Sequence, residues 1–389
     1  MKRTLNASEM KIRNRAAILK LIRQTGCSRS QIARMTGLTR AAVTIIVDEC
    51  IGRGMIEEGE KSGSALGRKA VGLRMDPRYG WAVGLNISRR AYTVGIVDFG
   101  GRILREFRKE VATDTEPSAI LEEICSHIRG MQASAEGKFL GIGITMPGPL
   151  DRERGVILRV PNMRSWENFA VNDYFRERFH CDICLNNNSN ATAKAEEIFN
   201  PAVQGKNFME LIVDSGLGSS VILNIDNRSE NFDCEFGHCC IDSNGAVCGC
   251  GNVGCAEMYA SSQAIVRYAA ERGAAVRSWE DIAEGYRAGS EICRDAVERE
   301  RYYLSRVIIN AVNCFPIDSV VFAGDIVYRF GELLAPALER EVREGSIKKK
   351  SVAMSVSAIK GTAILSAANL IIEKHLFAAS PAAVDRAAE

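Results

Sequence analysis

No stretch of this chain approaches the roughly twenty consecutive apolar residues that a membrane-spanning helix needs, which excludes a helical membrane protein. The opening residues, "MKRTLNASEMKIRNR", are basic and polar, with no apolar segment behind them. A secretory signal is therefore not expected, and a cytoplasmic location is. In a reducing compartment the thirteen cysteines are thiols or metal ligands rather than disulfides. Net charge is also nearly lacking, at +2 over 389 residues. A composition 46% hydrophobic and 25% charged is that of a soluble globular chain, long enough for two or three domains.

The small net charge conceals a strong asymmetry. Residues 1–72 hold 14 Lys/Arg against 6 Asp/Glu, whereas the remainder holds 36 against 42. A basic head on an acidic body points to a polyanion as the head's partner. From Asn14 the pattern is helical, with Ile18, Leu21 and Ile22 in one apolar stripe. Ser28 and Gln31 form a capping box, Gly37 suits a left-handed helix end, and Thr39 caps the next helix. In that second helix Val43, Ile46, Val47, Cys50 and Ile51 recur at helical spacing and form a buried face. Arg40, Ala41, Thr44 and Asp48 are left facing outward.

This is the layout of a helix-turn-helix, whose second helix enters the major groove with its first residues at the base edges. Two β-like runs, Met55–Glu58 and Ala70–Met75, flank "GEKSGSALGRK", a basic tip that reads as a wing. The candidate DNA contacts are Arg29, Thr39, Arg40, Ala41, Thr44, Arg68 and Lys69. A head domain over residues 1–78 is expected, with operator DNA as its partner.

From Trp81 the pattern turns to strands. "WAVGLNISRRAYTVGIVDFGGRILREFRKEV" reads as three strands joined by tight turns, and "FMELIVDSGLGSSVILNIDNR" repeats its first part. A helix near 117–135 and a buried strand, "FLGIGITMPG", lie between the two. A duplicated α/β body with a ligand cleft is expected over residues 79–378, followed by a disordered tail over 379–389. Within the body, "HCCIDSNGAVCGCGNVGCAE" (238–257) concentrates five cysteines and a histidine in an irregular span. That donor set suits zinc, although the spacing is not that of a generic finger. It could act on a substrate or merely hold a loop.

The winged head followed by "GIGITMPGPLD", "PNMRSW", "NNNSNATAKAEE", "CEFGH" and "CGCGNVGCAE" resembles the ROK-family transcriptional regulators. The resemblance runs from about Asn14 to Leu376. It implies an actin-like, ribonuclease-H-like pair of α/β lobes behind a winged helix-turn-helix. It also implies a zinc-bound loop ligated by His238, Cys248, Cys250 and Cys255. One imidazole and three thiolates complete a tetrahedron, so such a zinc is structural. The family's sugar-contacting positions fall on Asn162, Asn187, Glu235, His238 and Glu257, with Asn188 beside them. Cys234, Cys239 and Cys240 match no ligand position.

Measured against the family's kinases, several groups are missing. The Asn-Asp pair that supplies a catalytic base corresponds to Asn187-Asn188, and an amide cannot take a hydroxyl proton. The first phosphate turn, Asp-x-Gly-Gly-Thr in kinases, is Asn86-Ile87-Ser88-Arg89-Arg90. The second, Gly-Thr-Gly, is Asp214-Ser215-Gly216. The expected function is that of a repressor whose operator affinity responds to a sugar or sugar derivative. The expected assembly is a homodimer or homotetramer, and no catalysis is expected. The alternatives are control by a protein partner, such as a sugar-transport component, and an active sugar kinase.

Overall fold

A computed structural model of the chain describes residues 7–62, 70–112, 114–133, 135–160, 163–225, 228–324 and 333–377. They fall into two compact units, one ending at Asn187 and resumed at Gly361, the other spanning Asn188–Lys360.

The first unit opens with α1 (Ala7–Thr25), α2 (Arg29–Thr36) and α3 (Arg40–Gly52), followed by an antiparallel ribbon of β1 (Ile56–Ser62) and β2 (Ala70–Met75). The local signals act as expected. The Ser28 N–H donates to Gln31 Oε1 at 2.8 Å, Gly37 takes φ 71°, and Thr39 Oγ1 accepts from the Ala42 N–H at 3.2 Å. Val43, Ile46, Val47 and Cys50 are buried, and Ile51 is half-buried. Two details differ from the sequence reading. α1 begins at Ala7 rather than near Asn14, and Leu19, not Leu21, joins Ile18 and Ile22 in its core. Arg68, Lys69 and the rest of the wing tip lie outside the described residues, as do Asn162 and the tail.

Next come β3 (Trp81–Ile87), β4 (Ala91–Asp98), β5 (Ile103–Glu110), α4 (Pro117–Gln132), β6 (Phe139–Met146), the short β7 (Leu150–Asp151) and β8 (Val156–Ile157), α5 (Val171–Phe179) and β9 (Ile183–Asn187). The sheet order is β5-β4-β3-β6-β9, with β3, β6 and β9 parallel and the rest antiparallel. Alternation along the strands separates large from small residues. Val83, Leu85, Tyr92, Val94, Ile142 and Ile144 form one core with Ile120, Leu121 and Ile124 of α4.

The second unit repeats the plan. It comprises α6 (Asn188–Phe199), β10 (Phe208–Val213), β11 (Leu217–Ile225), β12 (Arg228–Cys234), α7 (Glu257–Ala260), α8 (Ser262–Glu271), α9 (Trp279–Arg287), α10 (Glu291–Cys314), β13 (Ser319–Gly324), α11 (Ala335–Gly345) and β14 (Ala353–Val356). Its sheet runs β12-β11-β10-β13-β14, so numbered by chain position both sheets read 3-2-1-4-5. The duplication seen as a repeated sequence pattern is therefore a repeated topology.

The chain then returns to the first unit as α12 (Thr362–Phe377). α12 lies on the small-residue face of the first sheet. A β-carbon at Gly84 would overlap the Ile364 carbonyl oxygen, and one at Gly143 the Ala367 carbonyl oxygen. On α12, Asn369 is fully buried and accepts a hydrogen bond from the Arg23 guanidinium of α1. Burial pulls that guanidinium down to about 10. No helix among the described residues is long and apolar enough to cross a membrane.

Two predictions follow the packing. Gly143→Ala should destabilise the protein by about 2 kcal/mol or more through overpacking. Gly130→Ala, on an exposed turn of α4 where the new methyl meets nothing within 4 Å, should stabilise it by up to about 1 kcal/mol. Denaturant titration of both variants measures the contrast. Separately, Glu300 is fully buried, accepts from Trp279 Nε1 at 2.5 Å, and is pushed by burial up to about 8. Its unfolded value is about 4.3, so the native state holds the extra proton between these limits. Wild-type stability should therefore fall as pH rises from about 4.3 to 8, and Glu300→Gln should flatten that fall. Melting temperatures across this range read it out.

Candidate metal centre and ligand-contacting residues

The loop between β12 and α7 is held by backbone pairing rather than by an apolar core. After β12 ends at Cys234, a single 3₁₀ turn, Phe236–His238, closes with the His238 N–H on the Glu235 carbonyl at 2.9 Å. Gly237 is required there, because a β-carbon would overlap the Leu217 carbonyl oxygen. The chain then runs out and back as a narrow ribbon. Cys240 bridges Cys255 and Val247 bridges Val253, the Ile241 N–H donates to the Gly254 carbonyl at 2.8 Å, and the Ala256 N–H to that of Cys239 at 3.0 Å. At the tip, the Cys248 N–H donates to the Asn252 carbonyl at 2.8 Å, with Gly251 turning at φ 98°.

This folding gathers His238, Cys248, Cys250 and Cys255, whose donor atoms all lie within 4.8 Å of one another. His238 Nδ1 is 3.7 Å from Cys248 Sγ, and Cys250 Sγ is 3.6 Å from Cys255 Sγ. A tetrahedron with metal–sulfur bonds of about 2.3 Å has edges of about 3.8 Å. The donor set and these two edges fit zinc. Four protein donors leave no position for an activated water, so a zinc held here would fix the loop. Cys234, half-buried, and Cys239 and Cys240, exposed, stand outside the group.

The same segment carries three of the expected sugar contacts. Glu235 is exposed beside the 3₁₀ turn, and His238 is half-buried with Nδ1 facing the thiols. Glu257 opens α7 and accepts the Leu217 N–H at 3.0 Å. Asn187 ends β9 in the first unit, where its Nδ2 donates to the Gly148 carbonyl at 3.3 Å, and Asn188 begins α6 of the second.

The first altered phosphate turn is closed by its own residues, the second by Asp214 within it and by the distant Glu257. At the first, the Ser88 N–H donates to the Ala91 carbonyl at 2.8 Å, and Ser88 Oγ accepts from the Ala91 N–H at 3.1 Å. At the second, the Ser215 N–H donates to Asp214 Oδ1 at 2.6 Å, and the Leu217 N–H is held by Glu257. A phosphate cradle needs free backbone N–H groups; here carboxylates fill the second turn. The closure by Glu257, forty residues from Leu217, carries no local sequence signal. Asn86 donates to Thr145 Oγ1 at 2.9 Å.

In the head, Thr39, Arg40, Ala41 and Thr44 are all exposed at the start of α3. Arg29 sits differently from the other candidate contacts. Its guanidinium pairs with Asp48 at 2.7 Å and Glu58 at 2.6 Å, clasping α2, α3 and β1 together.

Two five-stranded mixed sheets of identical order, with a loop that gathers three cysteines and a histidine, define a mixed α/β protein built from two repeated lobes. The ROK family profile matches residues 82–371. The chain belongs to the ROK family. It is 27% identical over 384 residues to the xylose repressor of Caldicellulosiruptor bescii, covering 92% of this chain and 95% of that one. It is 28% identical over 359 residues to the transcriptional dual regulator NagC of Escherichia coli, covering 88% and 87%. Among solved structures, a ROK family transcriptional regulator, a homologue of the E. coli MLC protein, superposes with a TM-score of 0.76 at 25% identity, covering 95% of this chain and 97% of its own. A ROK glucokinase from Streptomyces griseus in complex with glucose and AMPPNP gives 0.65 at 25% identity, covering 75% and 99%.

If the four donors hold zinc, the purified protein should carry one equivalent per chain by elemental analysis. Cys250→Ser should remove it and lower the melting temperature, whereas Cys314→Ser, exposed and outside the group, should change neither.

Proposed function

We propose that this chain is a sugar-responsive transcriptional repressor. Its winged helix-turn-helix binds operator DNA, and its ROK body senses a sugar or sugar derivative without phosphorylating it. The observation that carries this reading is the filling of a kinase phosphate turn by Asp214 and Glu257, in a chain that also carries a basic three-helix head. A regulator of known structure matches it over 95% of its length, head included, while a glucokinase matches over 75%.

In this reading Arg40, Ala41 and Thr44 approach base edges, with Thr39 at the helix start beside the backbone. Arg68 and Lys69 of the wing contribute phosphate or minor-groove contacts. Arg29 serves the head by orienting α3. Two chains of a homodimer, or of a homotetramer, present their recognition helices about 34 Å apart on a near-palindromic site. Asn162, Asn187, Asn188, Glu235, His238 and Glu257 bind the sugar, their amides, carboxylates and imidazole suiting hydroxyls that both donate and accept. Zinc at His238, Cys248, Cys250 and Cys255 is structural and holds the Glu235–Glu257 segment in place. Sugar acts on DNA binding through its differential affinity for two arrangements of the protein.

The test is a gel shift on a selected operator, titrated with D-xylose, D-glucose, N-acetyl-D-glucosamine and their phosphates. One of them should weaken the complex at least tenfold, and His238→Ala should abolish that response. Coupled ADP release with the same sugars should stay at background. A sugar-independent operator complex would point instead to control by a protein partner, and steady ADP release to a kinase.

A further inference from the structure

The outward side of α3 carries a residue that neither the core nor any ion pair accounts for. Ile45 is 64% exposed, the most exposed large apolar side chain of the described head. It lies between Thr44 and the buried Ile46, one turn beyond Ala41, which is also exposed. A β-branched residue has no helix-propensity advantage at such a position. Its polar neighbours are already engaged. Thr44 Oγ1 donates to the Arg40 carbonyl at 2.9 Å, and Asp48 is paired with Arg29 at 2.7 Å. Among the described residues, the outward face of α3 therefore offers Arg40, which makes no ion pair with them, beside an apolar strip of Ala41 and Ile45.

The occupant of that strip follows from charge and chemistry. The surrounding head holds 14 Lys/Arg against 6 Asp/Glu, so the surface meeting it is a polyanion. Among the groups a DNA duplex exposes in its major groove, the apolar one is the C5-methyl of thymine. We propose that Ile45 is a specificity-determining residue of this repressor, reading the thymine methyl of an A·T pair in each half-site. Arg40, at the first position of the helix, anchors it to the same groove. This assignment rests on the DNA-binding reading above and goes beyond it by naming the side chain and the base feature it reads.

The experiment selects duplexes from a random library with the full-length protein. Each thymine of the selected site is then replaced in turn by deoxyuridine, which lacks only the methyl. One position in each half-site should lose about fourfold in affinity, the worth of one buried methyl-sized group. Ile45→Ala should bind the unmodified site more weakly, lose the thymine preference at that position on reselection, and become indifferent to deoxyuridine there. Ile45→Val, which keeps a branched methyl, should retain much of the sensitivity. The proposal is overturned if no deoxyuridine substitution weakens the wild-type complex. It is equally overturned if Ile45→Ala keeps the wild-type thymine preference and deoxyuridine sensitivity. The deoxyuridine series on the wild-type protein needs no mutant to fold. If the wild-type protein selects no sequence at all, the DNA-binding reading itself falls. Selection that succeeds without methyl dependence removes only the role of Ile45.

Discussion

The close approach of α12 to the first sheet governs much of what surrounds it. Backbone meets backbone at Gly84 and Gly143, so no side chain, however small, can intervene. That contact forces the two faces of the sheet apart in character. Residues facing α12 must be small, and the volume of the core is pushed to the α4 face, where Val83, Leu85, Tyr92, Ile142 and Ile144 supply it. The same helix carries Asn369 into a fully buried position against Arg23 of the head. The half-buried Arg23 guanidinium is held there by a charge-assisted hydrogen bond to the buried amide. The head is thus fastened to an element seated in the body's sheet. That element is also the one through which the chain re-enters the first unit at Gly361.

The loop of the second unit solves a different problem. Between Cys234 and Glu257 there is too little apolar surface to fix a conformation by burial, and the ribbon spends its backbone groups on itself. Three thiols and an imidazole brought within 4.8 Å of one another could, with a metal, supply what a core would elsewhere. The end of this loop, Glu257, reaches the turn that begins β11 and occupies an N–H there. Loop order and the closed state of the turn are therefore linked through one carboxylate. The N–H groups of Ser215 and Leu217 in that turn both have acceptors within the chain.

The head was legible because its signals are local. Ser28 with Gln31, Gly37 and Thr39 each act within four residues, and the stripe from Val43 to Cys50 is set by helical period alone. The repeated strands of the body were legible for a related reason, since alternation and tight turns are short-range features. What escaped the sequence is long-range or marginal. The first turns of α1 are polar enough to read as a tail. Nothing near Arg29 in the sequence announces that Asp48 of α3 and Glu58 of β1 fold onto it. Arg23 and Asn369 are 346 residues apart, and nothing in either neighbourhood names the other. The metal ligands fell between these cases, because residue type and order were visible while their convergence was not.

That division explains how a ROK body can vary in its turns without changing its fold. Both sheets rest on strand alternation, and the first also on the glycines that admit α12, rather than on the identity of residues in the turns. Turns such as Ser88–Arg90 and Asp214–Gly216 need only close their own hydrogen bonds, and many sequences do that. A phosphate cradle asks more of them, since their N–H groups must stay unpaired until a ligand arrives. At the second turn Asp214 and Glu257 supply internal acceptors for the N–H groups of Ser215 and Leu217. The loop that gathers His238, Cys248, Cys250 and Cys255 ends at Glu257 and so carries that carboxylate to the turn before β11.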